Sequence, residues 1–346
     1  MSRENKKSLV LQVQETLQAK LKIGGKKHQD KKQGVSTKYI YSWGTYNAYI
    51  QQCCDFIRWC KSAPIRDELS RKPRTLEECR LYAKDYINSS IERGLSPYTI
   101  KLRVAALAKL YGCKAGDFGI ATPARERANI FRSRNIAERD KHFSTKKNVD
   151  LITFCKCTGL RRAELQQIRG TDFVYKDGKP FLNVTRGTKG GRPRVSPIVG
   201  NNEEIAKVID MLKNAGKNKV FPRVPTHADI HSYRAEYATR VYNAHKRPVS
   251  VFKNERFIVH NNRIVDIYHT SGRFSDYVRY AHLYDGTKID KHTGKSKMLP
   301  GYRDVSSMFF CRRDRAGEIY DRRALFEASK ALGHNRENVI VGHYLR

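Results

Sequence analysis

Apolar residues in the first third of the chain recur at helical steps. Tyr46, Tyr49, Ile50, Cys53, Phe56, Ile57 and Cys60 are three or four positions apart, which places them on one buried helix face. Pro64 interrupts that pattern. Thr75-Leu76-Glu77-Glu78 sets an N-cap hydroxyl three positions before a carboxylate, and predicts a second helix running to about Ile91, closed by Gly94. Ser96-Pro97 puts proline in a first turn, where its missing N–H is no loss, and Ile100, Val104, Leu107 and Leu110 then share one face up to Tyr111-Gly112. Residues 38–112 are therefore expected to form a compact helical domain.

Beyond residue 142 the periods are mixed. A helix is expected over Lys147–Cys157, broken at Thr158-Gly159, with another over Arg162–Ile168. Phe173-Val174-Tyr175, Phe181–Thr185 and Arg194–Val199 read as short strands, with Asp177-Gly178 and Gly190-Gly191 as turns. Helices return at Glu203–Asn214, His227–His245 and Leu325–Leu332. Residues 246–318 are aromatic and charged, with strand-like Arg256–Val259 and Arg263–Tyr268 and no helical period. The expected class is mainly α with a small antiparallel β-sheet.

Charge changes this picture more than any other bulk property. Lys and Arg number 68 against 34 Asp and Glu, a formal surplus of 34, which points to a polyanionic partner. Because the surplus runs along the whole chain and does not gather on one amphipathic helix, nucleic acid is favoured over a membrane surface. Residues 1–37 hold a helical stretch around Leu9–Leu21, nine basic and three acidic side chains and a Gly24-Gly25 interruption, and are expected to form a mobile basic arm. Residues 113–142 read as a basic linker in which Arg125, Arg127, Arg132 and Arg134 contact a phosphate backbone. The eight cysteines form no CxxC pair and fit neither a disulfide framework nor a zinc site, so no metal is assigned. With no apolar run near the roughly 18 residues of a membrane helix and no signal peptide, the expected location is cytoplasmic.

Five short motifs carry candidate chemistry. Thr158-Gly159-Leu160-Arg161-Arg162-Ala163-Glu164-Leu165 places an arginine where a broken helix restarts. Thr188-Lys189-Gly190-Gly191-Arg192 puts a lysine at a hairpin tip, with Arg192 beside it as a candidate DNA contact. His231-Ser232-Tyr233-Arg234 sets a histidine and an arginine on one helix face. Leu332-Gly333-His334 ends a helix, and His343-Tyr344 follows near the C-terminus. Singly, each has an ordinary reading: Arg161 with Glu164, for example, makes a plain i,i+3 ion pair. Together they suit phosphoryl transfer, which depends on positioning and on stabilising charge at the equatorial oxygens. Two guanidinium forks can hold a phosphate without a metal, a tyrosine can attack it, and a lysine can protonate the departing oxygen.

The set resembles the Arg-Lys-His-Arg-His-Tyr constellation of the tyrosine recombinase (phage integrase) family, over about residues 143–346, and less specifically over 38–112. The resemblance implies a helical, SAM-like core-binding domain and an α+β DNA breaking-rejoining catalytic domain. It implies that Arg161 and Arg234 clamp the scissile phosphate, Lys189 is the general acid, His231 is the base or a phosphate ligand, and His334 hydrogen-bonds the phosphate. Tyr344 would attack, and Glu164 would orient Arg161. It further implies a C-shaped clamp around duplex DNA, a 3′-phosphotyrosyl intermediate, a Holliday junction, a homotetramer on DNA that is a monomer or weak dimer when free, and no cofactor, ATP or divalent metal. The basic arm favours an integrase of a bacterial or phage mobile element, aided by an excisionase or a DNA-bending accessory protein. Alternatives are a non-catalytic DNA-binding protein of the same fold and a type IB topoisomerase-like nicking-closing enzyme. Two spacings depart from the pattern: Arg234 to His334 is 334 − 234 = 100 residues, which marks about 246–318 as an insertion, and His334 to Tyr344 is 344 − 334 = 10, one longer than usual. Arg162 beside Arg161 leaves open which of the two acts, with the Thr-Gly-Leu-Arg match favouring Arg161.

Overall fold

The computed structural model describes residues 7–126, 143–271, 281–289, 291, 296–312, 315–334 and 336–345. The chain divides into two compact units, residues 1–129 and 130–346. Among the described residues no helix is long and apolar enough to cross a membrane.

The first unit is helical. Its elements are α1 (Leu9–Gln18), α2 (Lys27–Lys32), α3 (Trp43–Ser62), α4 (Leu76–Arg80), α5 (Ala83–Glu92) and α6 (Pro97–Tyr111). The face of α3 anticipated from spacing is the buried one, with Cys53, Phe56, Ile57 and Cys60 all in the core. Ser96 caps α6 with Pro97 in its first turn, and Gly112 ends it. The capping box forms as expected, Glu78 N–H donating to Thr75 and Glu78 accepting from the Thr75 N–H, but the helix it opens breaks after Arg80 and restarts at Ala83.

The N-terminal segment differs from the mobile arm expected over 1–37. Leu9, Val13 and Leu17 of α1 are buried in the same core as α3 and α6, as is Ile40. The intervening lysine-rich excursion is pinned by buried Asp30, which accepts from Lys22 at 2.8 Å and from the Tyr41 hydroxyl at 2.6 Å. Three apolar side chains at helical spacing outweigh the tendency of the surrounding charge to stay in water. The expected linker is also shorter than 113–142, because Phe118 and Ile120 pack against the first unit's core. Arg127, Arg132 and Arg134 lie outside the described residues. Arg125 is exposed and stacks over the Tyr98 ring at 5.2 Å.

The second unit is built from helices with small antiparallel sheets. Helix α7 (Val149–Thr158) is followed by the short α8 (Arg162–Leu165) and by the sheet β1 (Phe173–Lys176), β2 (Lys179–Val184) and β3 (Arg194–Pro197). Helices α9 (Asn202–Ala215) and α10 (Ile230–His245) come next, and α7 packs against both. Leu151, Phe154, Leu165, Leu182, Val208 and Leu212 form one core, while Ala235, Tyr237, Leu325, Ala328 and Ile340 join a second one around α10. The chain closes with α12 (Arg322–Ala331) and α13 (Glu337–His343).

The described residues of 246–318 are folded. After the short α11 (Val249–Phe252), strands β4 (Glu255–His260), β5 (Arg263–His269) and β8 (Tyr302–Ser306) form a sheet ordered β5-β4-β8. Its Phe257 and Val259 pack on Phe326 of α12, and Arg247 joins Glu255 and Asp321 at 2.8 and 2.7 Å. Asp304 gathers the Tyr268 and Tyr284 hydroxyls and the Arg256 guanidinium at 2.8–3.1 Å. Strands β6 (Tyr284–Ile289) and β7 (Ser296–Met298) pair beside it, and β9 (Met308–Phe310) pairs with β10 (Ile319–Asp321).

Candidate active site

The site is assembled around two helix ends. Helix α7 stops because Gly159 adopts φ +60°, and its missing side chain matters as well: a Cβ there would lie 2.1 Å from the Tyr237 ring. That close approach lets the Gly159 carbonyl accept from the Arg234 guanidinium of α10. The chain then turns into α8 with Arg161 at the N-cap, its N–H donating to Glu164 at 2.7 Å. At the other end, α12 closes through Gly333 at φ +67°, where the His334 N–H donates to the Ser329 carbonyl at 2.8 Å. The Leu332 carbonyl at this corner accepts from both Arg161 (3.3 Å) and Arg234.

Arg161, Lys189, His231, Arg234, His334 and Tyr344 all line one pocket of about 500 Å³. The motifs that contribute them are as far apart in the chain as residues 161 and 344. Tyr344 follows α13, and its phenol oxygen lies 3.1 Å from His334 Nε2 and 3.4 Å from Arg234 Nε. The His231 ring sits edge-on to Tyr344 at 5.0 Å, and the Arg234 guanidinium lies 5.7 Å from its ring centre. Lys189 is exposed on the Lys189–Gly191 turn between β2 and β3. Arg192 is exposed at the foot of the same hairpin and is absent from the pocket lining. Arg162, the neighbour that left the arginine open, donates to the Pro225 and Ala228 carbonyls at 2.5 Å each, and so anchors the loop before α10.

The electrostatics follow from burial among like charges. Arg234 is 2% exposed, and burial, with the positive charges of Arg161 and Arg194 nearby, pulls its pKa down to about 10, which leaves it cationic at neutral pH. Burial first, then the charges of Arg234, Arg161 and Arg194, push His334 down to about 3, so its imidazole is neutral near pH 7. Burial works to raise the Glu164 carboxyl, but hydrogen bonds and charge from Arg194, together with the Arg161 N–H and the charge of Arg234, hold it at about 2. The pocket is thus a cationic recess in which a neutral histidine faces a phenol, suited to an anion that brings its own negative charge.

Sequence reading missed Arg194. This side chain is 7% exposed and donates twice to Glu164, at 2.7 Å each, and once to the Ala331 carbonyl at 3.1 Å. Among 68 basic residues it carried no mark in the sequence; its place at the start of β3, on the inward side of a strand, was the available signal.

No protein-family model matches the chain, and no curated protein does. Among solved structures it is similar to the Tn1549 transposon integrase in complex with transposon right end DNA, at 14% identity and a TM-score of 0.38, covering 71% of this chain and 90% of that one. It is also similar to the XerH site-specific recombinase in a post-cleavage complex with palindromic difH substrate, at 15% identity and a TM-score of 0.42, covering 70% and 87%. At this identity and superposition, the functional reading rests on the pocket and not on the likeness.

Proposed function

We propose that this chain is a tyrosine recombinase that cleaves and rejoins duplex DNA through a covalent bond to Tyr344. The observation that carries the reading is the convergence of Arg161, Lys189, His231, Arg234, His334 and Tyr344 on one pocket, with the Tyr344 hydroxyl in hydrogen-bond reach of Arg234 and His334. In the proposed reaction a backbone phosphate enters beside Arg161 and Arg234, whose N–H groups stabilise the charge that builds on its non-bridging oxygens. The Tyr344 oxygen bonds to phosphorus as the bond to the deoxyribose 5′-oxygen breaks. His231 takes the phenol proton, and Lys189 gives a proton to the departing 5′-oxygen. The products are a 3′-phosphotyrosyl protein and a free 5′-hydroxyl, and the reverse attack by a 5′-hydroxyl from another strand rejoins the DNA.

His334 serves this chemistry as a neutral imidazole that hydrogen-bonds the phosphate or the phenol, because burial and the charges of Arg234, Arg161 and Arg194 disfavour a further positive charge there. Glu164 holds Arg161 in place, through Oε1 to the guanidinium at 2.8 Å and Oε2 to the N–H. Strand exchange between paired sites requires several protomers on DNA, and a homotetramer is the assembly we propose. The basic surplus supplies affinity for the duplex backbone.

The test is a trapping experiment with nicked duplexes tiled across the DNA that flanks the chain's own gene. A nick next to the scissile bond lets the short 5′-hydroxyl fragment diffuse away and strands the adduct. A DNA-bearing protein band on a denaturing gel, absent with Tyr344→Phe, is the expected result. Tight DNA binding with no adduct would leave a binding protein and overturn the proposal.

A further inference from the structure

We infer that Arg194 is a positioning residue that sets the catalytic arginine and the histidine corner without touching DNA, an inference that rests on the recombinase reading. Arg194 is the first residue of β3, pairing with Val184 of β2, so it sits at the base of the hairpin that carries Lys189. Its guanidinium spans the two other halves of the site. Two of its nitrogens meet the two oxygens of Glu164 at 2.7 Å, and the third donates to the Ala331 carbonyl at 3.1 Å, one turn before His334.

The geometry fixes the direction of influence. Glu164 is fully buried, and both of its oxygens are shared between Arg194 and Arg161, so the carboxylate can hold Arg161 only in the place Arg194 assigns to it. A bidentate fork is the one arrangement that fixes a carboxylate in both position and plane; a lysine ammonium would fix neither. Arg194 also explains a residue at the histidine corner. A Cβ on Gly333 would lie 2.8 Å from Arg194 Cδ, so the arginine's stem runs through the space that glycine leaves there. At 7% exposure, and absent from the lining of the pocket, Arg194 has no route to a phosphate. Its hydrogen bonds therefore act through Glu164 and the helix end.

The test measures single-turnover adduct formation and duplex affinity separately, in the full chain with the nicked duplexes above. Arg194→Gln should slow adduct formation on the order of 100-fold, the usual consequence of a misplaced catalytic group. Affinity should stay within about threefold, since no phosphate contact is lost. In an Arg161→Ala background the same substitution should cost little more, because the group it positions is already gone. Equal losses in both backgrounds, a wild-type rate, or a loss confined to affinity would each overturn the inference. If Arg194→Gln does not fold, Glu164→Gln with Arg194→Met removes both charges together and leaves neither buried alone. That protein should fold and bind yet cleave as slowly as Arg194→Gln was expected to, and a wild-type rate from it would overturn the inference as well. Failure of the recombinase reading is separately visible, since the unsubstituted chain would then give no adduct, and the inference would fall with it.

Discussion

His334 makes a quantitative prediction about acid stability. Its imidazole is held neutral by burial and by the arginines around it, with a pKa near 3 against an ordinary value of 6.5. Below pH 6.5 the unfolded chain takes up a proton that the folded chain refuses, so folding loses stability as pH falls from 6.5 toward 3. Between pH 7.5 and pH 5 the difference of about 1.5 pH units below the unfolded value corresponds to an upper bound of about 2 kcal/mol at 1.36 kcal/mol per unit. Solvent at the pocket mouth screens part of this, leaving about 1 kcal/mol as the working figure. The perturbation is His334→Asn, which keeps a polar side chain and removes the titration. The assay is thermal unfolding at the two pH values, followed by far-UV circular dichroism. Tryptophan fluorescence serves as an internal control, because Trp43 and Trp59 both lie in α3 of the first unit. The second unit of His334→Asn should lose less on acidification than the wild type by about 1 kcal/mol, or roughly 2–4 °C for a unit of this size, with the fluorescence transition unaffected. The Glu164 carboxylate adds a loss at lower pH, from its ordinary 4.5 down to about 2, and is common to both proteins. Identical acid sensitivity in the two proteins would refute the claim that the half-buried His334 is held neutral among cations.

Three further outcomes are expected. Arg234→Lys should slow adduct formation by roughly 100-fold or more, since an ammonium cannot reproduce the guanidinium fork, while duplex affinity measured by fluorescence anisotropy changes little. Lys189→Ala should slow cleavage by roughly 10²–10⁴ through loss of the general acid, and a duplex with sulfur in place of the scissile 5′-oxygen, a leaving group that needs no proton, should recover most of that rate; failure to recover it would move Lys189 out of this role. Deleting residues 1–21 should destabilise the first unit by roughly 5 kcal/mol, from the burial of Leu9, Val13 and Leu17, visible as an early tryptophan transition, whereas an unchanged transition would restore the mobile-arm reading.

How much of this was legible in the sequence depended on whether a signal was local. The helix faces of α3 and α6 and the strand-turn pattern around Lys189 are set by residues a few positions apart, and their observed bounds lie within a few residues of those anticipated. The first helical turn of α10 was misplaced because its cap is Asp229, which accepts from the Ser232 N–H at 3.2 Å, and not a residue near His227. At the N-terminus the helical stretch around Leu9–Leu21 is legible and matches α1, but the lysines between Lys20 and Lys38 pointed to a mobile arm, and nothing local shows that Leu9, Val13 and Leu17 dock on the core. The five motifs were legible as types and order, but their meeting in one pocket is a tertiary fact. Arg194 was not legible, because its partner Glu164 is 30 positions away and nothing near it in sequence distinguishes a buried clamp from a surface cation. The break between α4 and α5 has no account in the residues that flank it.

The central claim is a covalent bond at one atom of Tyr344, and the most direct measurement is to find it. The trapped adduct would be digested with nuclease and protease and the nucleotide-bearing peptide sequenced by mass spectrometry, with the released DNA strand end-labelled to show its terminus. The account predicts a nucleotide 3′-phosphate esterified to the Tyr344 oxygen, paired with a free 5′-hydroxyl on the released strand. A nucleotide on any other residue, or a 5′-phosphate on the released strand, would contradict it.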